Sequence, residues 1–220
     1  MERGWVGRIE GDHVVHLAAQ TLQAYFTGGG TAREHAVYPL DAVRLLPPVL
    51  HPPSVRVFDD ETSFTFANPA AIIGPDAVIS ARGDSVALLP RTAAVLGADG
   101  RIEGFTGFAD WRRGPARPPK DRDFALGLGP LVVTPDDLAD EPAVVVHVDG
   151  DHRTFGPGEL ATVWSRFDWG AARSLAASGT ALRAGDLLVG PPAGSVDLVA
   201  AGSEVEIEFD SIGTLRQVVR

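Results

Sequence analysis

The 220-residue sequence contains no cysteine, which excludes disulfides, thiolate nucleophiles and cysteine-ligated zinc together. It also lacks a basic excess, because 19 Lys and Arg against 29 Asp and Glu leave a formal net charge of −10. Nucleic acid and anionic membranes both need a basic face, so neither is an expected partner. No apolar run approaches about 18 residues, and no charged–apolar–small leader opens the chain, so a span or secretory signal is not expected. A cytoplasmic protein is the expectation. What is plentiful is glycine and proline, 25 and 17 residues, which favour short strands and turns over a helical bundle. The length allows a substantial core in one large domain or two small ones.

Along the chain, residues 5–9 and 14–17 flank a Gly11-Asp12 turn and predict a hairpin. Residues 18–26 predict a short helix stopped by Gly28-Gly29-Gly30. That triple glycine lacks a preceding strand and a following Lys-Ser/Thr, so it reads as a surface loop, not a phosphate cradle. Strands are predicted near 54–58, 86–89, 131–133, 187–189 and 205–209, and a helix start at Thr134-Pro135. Asp149-Gly150 predicts a hairpin joining 144–148 to 152–155. Leu160, Val163, Trp164, Phe167 and Ala171 recur at helical spacing and predict an amphipathic helix over 157–177. Asp59-Asp60-Glu61 reads as a solvated turn, since neighbouring carboxylates on a strand point to opposite faces. The pattern is mixed, β-rich α+β: a small hairpin-and-helix segment at 1–50, then one domain at 51–220.

Residues 104–130 draw attention because an apolar strand delivers one carboxylate, Asp110, into a Pro- and Arg-rich loop ending in Lys120 and a Gly-Pro exit. Arg91, Trp111, Arg112, Arg113 and Phe124 complete a candidate cationic pocket with apolar walls. Lys120 would act as general acid or base if burial and nearby arginines lowered its pKa. The competing reading makes the charged run 112–123 a solvated loop. His51 and His147 have no serine or carboxylate at motif spacing, so no nucleophilic triad is argued.

Several stretches, in order, resemble the fumarylacetoacetate hydrolase family. Leu182-Arg183-Ala184-Gly185-Asp186-Leu187-Leu188-Val189-Gly190-Pro191-Pro192-Ala193-Gly194 is similar to its L-x-x-G-D…G-T-P-x-G signature. Gly127-Leu128-Gly129-Pro130 and Asp149-Gly150-Asp151 match further elements. The resemblance covers about residues 40–220 and implies a rolled, mixed β-sheet fold (the family's β-roll) and a homodimer. It places Gly190 and Pro191 among substrate-binding positions, with proline where the family has threonine.

The resemblance also implies a divalent ion held by two glutamates in an E-x-E strand and one aspartate. Asp110 falls on the aspartate, but Leu89 and Arg91 fall on the glutamates. The family's lid would lie between Val57 and Phe64, where the chain is too short to hold it. A dication facing a unit positive charge about 4 Å away is disfavoured by roughly 8 kcal/mol at an effective dielectric near 20. Residues 89 and 91 share a strand face, so Arg91 is expected to pair with Asp110 in place of a metal. No cofactor is therefore expected.

Three functions follow from these readings. The first is a repurposed enzyme acting without metal on a small or polyketide-like β-dicarbonyl or oxo-acid, as isomerase, cyclase, decarboxylase or C–C hydrolase. High Ala, Arg and Gly usage suits specialised metabolism in a high-GC bacterium. The second is a non-catalytic binding or scaffold protein on the same fold. The third is an ordinary Mg- or Mn-dependent hydrolase or decarboxylase of the family.

Overall fold

The computed structural model describes residues 4–28, 31–82, 85–114, 116–138, 142–155 and 167–220. Its N-terminal part is a three-stranded sheet in the order β1 (Gly7–Glu10), β2 (His13–Ala18), β3 (Thr31–Pro39), with helix α1 (Leu22–Phe26) between the last two. Thr21 caps α1 through its hydroxyl, which accepts from Ala24 N at 3.1 Å. The third strand was not anticipated from the sequence. Gly29 and Gly30 of the expected surface loop lie outside the described residues.

The main body is built on an eight-stranded mixed sheet. Its strands are β4 (Val55–Asp60), β5 (Ser63–Ala67), β6 (Ile72–Ile73), β8 (Val86–Leu96), β9 (Ile102–Arg113), β10 (Leu126–Leu128), β13 (Leu187–Pro192) and β14 (Val196–Val199). Against it packs a five-stranded sheet of β12 (Asp151–Phe155), β11 (Val144–Val148), β15 (Glu204–Phe209), β16 (Gly213–Val219) and β7 (Val78–Ile79). The hairpin at Asp149-Gly150 forms as expected, with both residues at positive φ. Curled, mixed sheets with few helices make this the β-roll anticipated above.

Strand β8 is the backbone of the sheet, pairing β9 along its whole length. The sequence predicts a strand only near 86–89, ending before Pro90. β8 is one strand, and Pro90 sits where the other neighbour changes from β14, opposite Val86 and Leu88, to β13, opposite residues 91–95. A missing N–H costs least at such a handover, and the Pro90 carbonyl still accepts from Ala193 N at 2.8 Å.

Both faces of the large sheet carry buried apolar clusters. On one, Val86, Leu88, Ala109 and Trp111 meet Val144, Val146, Ile207, Phe209 and Leu215 of the five-stranded sheet. Farther along that face, Ala94, Leu96 and Leu188 meet Ala172 and Ala176 of helix α2 (Trp169–Ala177). The opposite face gathers Val55, Val57, Ala93, Val95, Phe108, Leu126, Leu128, Leu187 and Val189, with Leu22 and Phe26 of α1 against it. The expected helix over 157–177 is thus observed from Trp169, capped by Asp168; Leu160, Val163 and Trp164 lie outside the described residues. Two expectations need correcting. Residues 131–133 contribute one isolated bridge, Phe105 with Val133, whose two backbone hydrogen bonds are not continued into a ladder. Thr134 starts a single turn, with its hydroxyl spent on Asp137 Oδ2 at 2.7 Å instead of on a helix N-terminus.

Trp111 is wholly buried, and its Nε1 donates to Gln217 Oε1 at 2.6 Å across the two sheets. Replacing Trp111 by Phe would leave the Gln217 amide oxygen without that donor in a dry core. The expected loss is about 1–3 kcal/mol in urea unfolding, above the cost of the lost ring area alone.

Candidate functional site

Strand alternation sorts the charged residues of β9 onto two faces. Asp110 and Arg112 share one, with Phe108; Trp111 and Arg113 take the other. On β8, Arg91 lies opposite Phe108 and Leu89 opposite Asp110, so Arg91 and Asp110 are diagonal neighbours on one face. Arg91 and Asp110 are fully buried. Arg91 Nε donates to Asp110 Oδ2 at 3.0 Å, the pairing expected from the sequence.

The pairing is part of a larger chain of charges. Arg112 grips Asp110 in a two-pronged fork, Nε to Oδ1 at 2.8 Å and Nη2 to Oδ2 at 2.7 Å. Its Nη1 reaches Asp121 Oδ2 at 3.0 Å, and Arg122 Nε stands 3.8 Å from Asp121 Oδ1. At the other end Arg91 Nη2 donates to Asp59 Oδ1 at 3.0 Å. The order is Asp59, Arg91, Asp110, Arg112, Asp121, Arg122: three anions alternating with three cations. Arg122 Nη1 also donates to Thr65 Oγ1 at 3.2 Å, tying this end to β5.

Backbone irregularity supplies the remaining acceptors. The register between β13 and β8 slips between Val189 and Pro192, which turns the Gly190 carbonyl toward Arg91 Nη1 at 3.0 Å. The Phe58 carbonyl, at the bulge between Phe58 and Asp60, accepts from the same nitrogen at 3.1 Å. Gly190 therefore belongs to the site through its backbone. Pro191 follows it in the same irregular, buried stretch.

Burial alone would lower the pKa of the Arg112 guanidinium; hydrogen bonds and charge from Asp110, then Asp121, outweigh it and hold it above its ordinary value. Arg122 moves the other way, lowered first by burial and then by the charge of Arg112. Thr62, through its hydroxyl and then its N–H, holds the Asp60 carboxyl below its ordinary range. These bonds, at 2.5 and 2.8 Å, fix the turn that follows Asp59.

The sequence placed all its candidates in one pocket; the structure separates them. Trp111 is fully buried in the core between the two sheets. Arg113, Lys120 and Phe124 line a separate cavity of about 560 Å³ with Ser80, Arg82 and Asp123. There Arg113 lies 4.2 Å over the Phe124 ring and donates to the Ser80 carbonyl. Lys120 is 77% exposed and pairs with Asp123 at 2.6 Å. The sequence reading missed Asp59, Asp121 and Arg122. The acids at 59–61 are exposed, as expected, and nothing local reveals that Asp59, at the bulge between Phe58 and Asp60, also meets Arg91.

The donor set does not suit a hard divalent ion. Asp110 is the lone carboxylate of the expected trio, both its oxygens are engaged by arginines, and a guanidinium nitrogen stands 3.0 Å away. Among the described residues no group of three or more His, Asp or Glu side chains is placed to hold a metal.

Removing one partner from a buried pair leaves a charge without compensation. Asp110→Asn is therefore expected to lower the unfolding free energy by about 3–5 kcal/mol in chemical denaturation. Asp59→Asn, at a 74% exposed side chain, should cost less than about 1 kcal/mol. Equal effects from the two would contradict the buried-core, exposed-end description.

Comparison with known proteins brings the same fold into view. The model of the fumarylacetoacetate (FAA) hydrolase C-terminal domain matches residues 50–220. No match among curated protein sequences reaches significance. Among solved structures, maleylpyruvate hydrolase from Sphingobium sp. SYK-6 superposes with a TM-score of 0.77 at 20% identity, covering 99% of this chain and 97% of its own. The same hydrolase has been solved with manganese(II) and pyruvate. A 2-hydroxyhepta-2,4-diene-1,7-dioate isomerase from Mycobacterium marinum gives 0.74 at 23% identity, over 98% and 92%. A 5-carboxymethyl-2-hydroxymuconate delta-isomerase from Mycobacterium smegmatis gives 0.72 at 22% identity, over 98% and 93%. At these identities the likeness speaks for the fold.

Proposed function

The chain belongs to the fumarylacetoacetate hydrolase family, and on that premise we propose that it is an enzyme acting on a small oxo-acid or β-dicarbonyl without a metal ion. The observation that carries the reading is the Arg91–Asp110–Arg112 cluster on the face where the family resemblance implied a metal. The names of the structurally similar proteins, a maleylpyruvate hydrolase and two isomerases of unsaturated diacids, support the substrate class. Chemistry of this kind develops negative charge on an enolate or carbonyl oxygen, and a fixed guanidinium beside that oxygen stabilises it. Arg112, partly open to solvent, is the group proposed to stabilise the substrate's developing oxyanion, with Arg91 beside it as the second cation of the site. Asp110 acts here as a positioning residue: its two oxygens hold both guanidiniums in place and leave little capacity to shuttle a proton. Lys120, paired in its own cavity, is left out of the proposed machinery.

A second reading, a non-catalytic binder of small carboxylates, is favoured by the saturation of Asp110 and by the absence of an unengaged acid–base side chain in the ionic chain. Turnover separates the two. Steady-state assays with maleylpyruvate and related β-dicarbonyl acids should show activity that excess EDTA leaves unchanged. Arg112→Ala should lower kcat/KM at least about tenfold, partly rescued in Arg112→Lys, which keeps the charge but not the fork. Lys120→Ala should behave as wild type. Activity abolished by EDTA and restored by manganese would overturn the metal-free reading, and absence of turnover alongside binding would favour the binder.

A further inference from the structure

One end of the ionic chain differs in kind from the rest. Arg91 has five N–H groups, and four bonds are formed: to Asp110, to the carbonyls of Phe58 and Gly190, and to Asp59. The first three acceptors are a buried carboxylate and backbone oxygens held by the sheet. Giving any of them up would strand a buried charge. The fourth acceptor is a carboxylate whose side chain is 74% exposed, on a residue just before the β4–β5 turn. Rotation of that one side chain returns Asp59 to water and leaves Nη2, the nitrogen that carries the unused N–H, without its acceptor. The backbone need not follow, because Phe58 beside it is fully buried and Asp60 is pinned by Thr62.

The charge count points the same way. Three guanidiniums balance three carboxylates while Asp59 is seated; with Asp59 withdrawn the cluster carries one excess positive charge, located at Arg91. A monocarboxylate restores the balance without disturbing any buried contact.

We propose that Asp59 is an internal competitor: it occupies the seat on Arg91 that the substrate's carboxylate takes, and substrate binding is an exchange of one carboxylate for another. The inference rests on the oxo-acid reading of the site. A neutral ketone cannot make the exchange, so the seat selects acids. The short hairpin, where the family resemblance implied a lid, thereby gains a gating role through one side chain.

The test is calorimetric titration of the full chain with pyruvate and with acetate, which shares the carboxylate but has no keto group. Asp59→Ala should bind both at least about tenfold more tightly than wild type. Asp59→Asn, which keeps an oxygen acceptor but loses the charge, should fall between. Glu61→Gln removes the same charge from the same turn, away from Arg91, and should match wild type. Equal affinity in wild type and Asp59→Ala would overturn the exchange, as would equal tightening in Glu61→Gln, which would mean general repulsion only. Asp59→Ala binding acetate and pyruvate alike, with no oxo-acid turned over, would uphold the exchange while refuting the oxo-acid reading. Turnover of an oxo-acid with KM unchanged in Asp59→Ala would do the reverse.

Discussion

The site depends on a single carboxylate, Asp110, fully buried on the longest strand pair and held from both sides by arginines. A lone ionised aspartate at that depth would be strongly disfavoured by lost hydration. Two guanidiniums make it tenable, and each is in turn made tenable by something else: Arg91 by two backbone carbonyls, Arg112 by Asp121. The backbone distortions at Phe58 and Gly190 take their meaning from this arrangement. They are the places where the sheet gives up ladder regularity to lend acceptors to a buried cation.

Compared with the ion site implied by the family resemblance, the substitution is chemically coherent. Removing two anions and inserting a cation changes the formal charge of the position in the direction that removing a dication requires. A guanidinium is also planar and directional, whereas a hard ion accepts oxygen donors from many directions.

Much of this was legible in the sequence, and the residues explain which parts. The glycine and proline signals, the Asp149-Gly150 turn and the ordered motifs of the last third lead to the fold because turn chemistry is local. The Arg91–Asp110 pair was legible because alternation along a strand fixes faces once the register is set. Asp59, Asp121 and Arg122 were not, because they join the cluster through a register slip and a loop, which no periodicity announces. Pro90 misled for a related reason: it breaks a strand unless a change of partner happens to coincide with it. The single pocket expected around residues 110–124 does not form because adjacent strand residues face opposite ways, so Trp111 and Arg113 leave the face that carries Asp110 and Arg112.

The equal numbers of arginine and aspartate in the ionic chain have a kinetic side. A cluster with no net monopole projects little field beyond a few ångströms, while the chain as a whole carries a formal charge of −10. An approaching organic acid is therefore repelled at long range and attracted only on contact. Its capture rate should lie below that of steered encounters, and moderate salt, by screening the repulsion, should hasten the approach instead of slowing it. The attraction is entirely short-sighted, felt only by molecules that have already arrived.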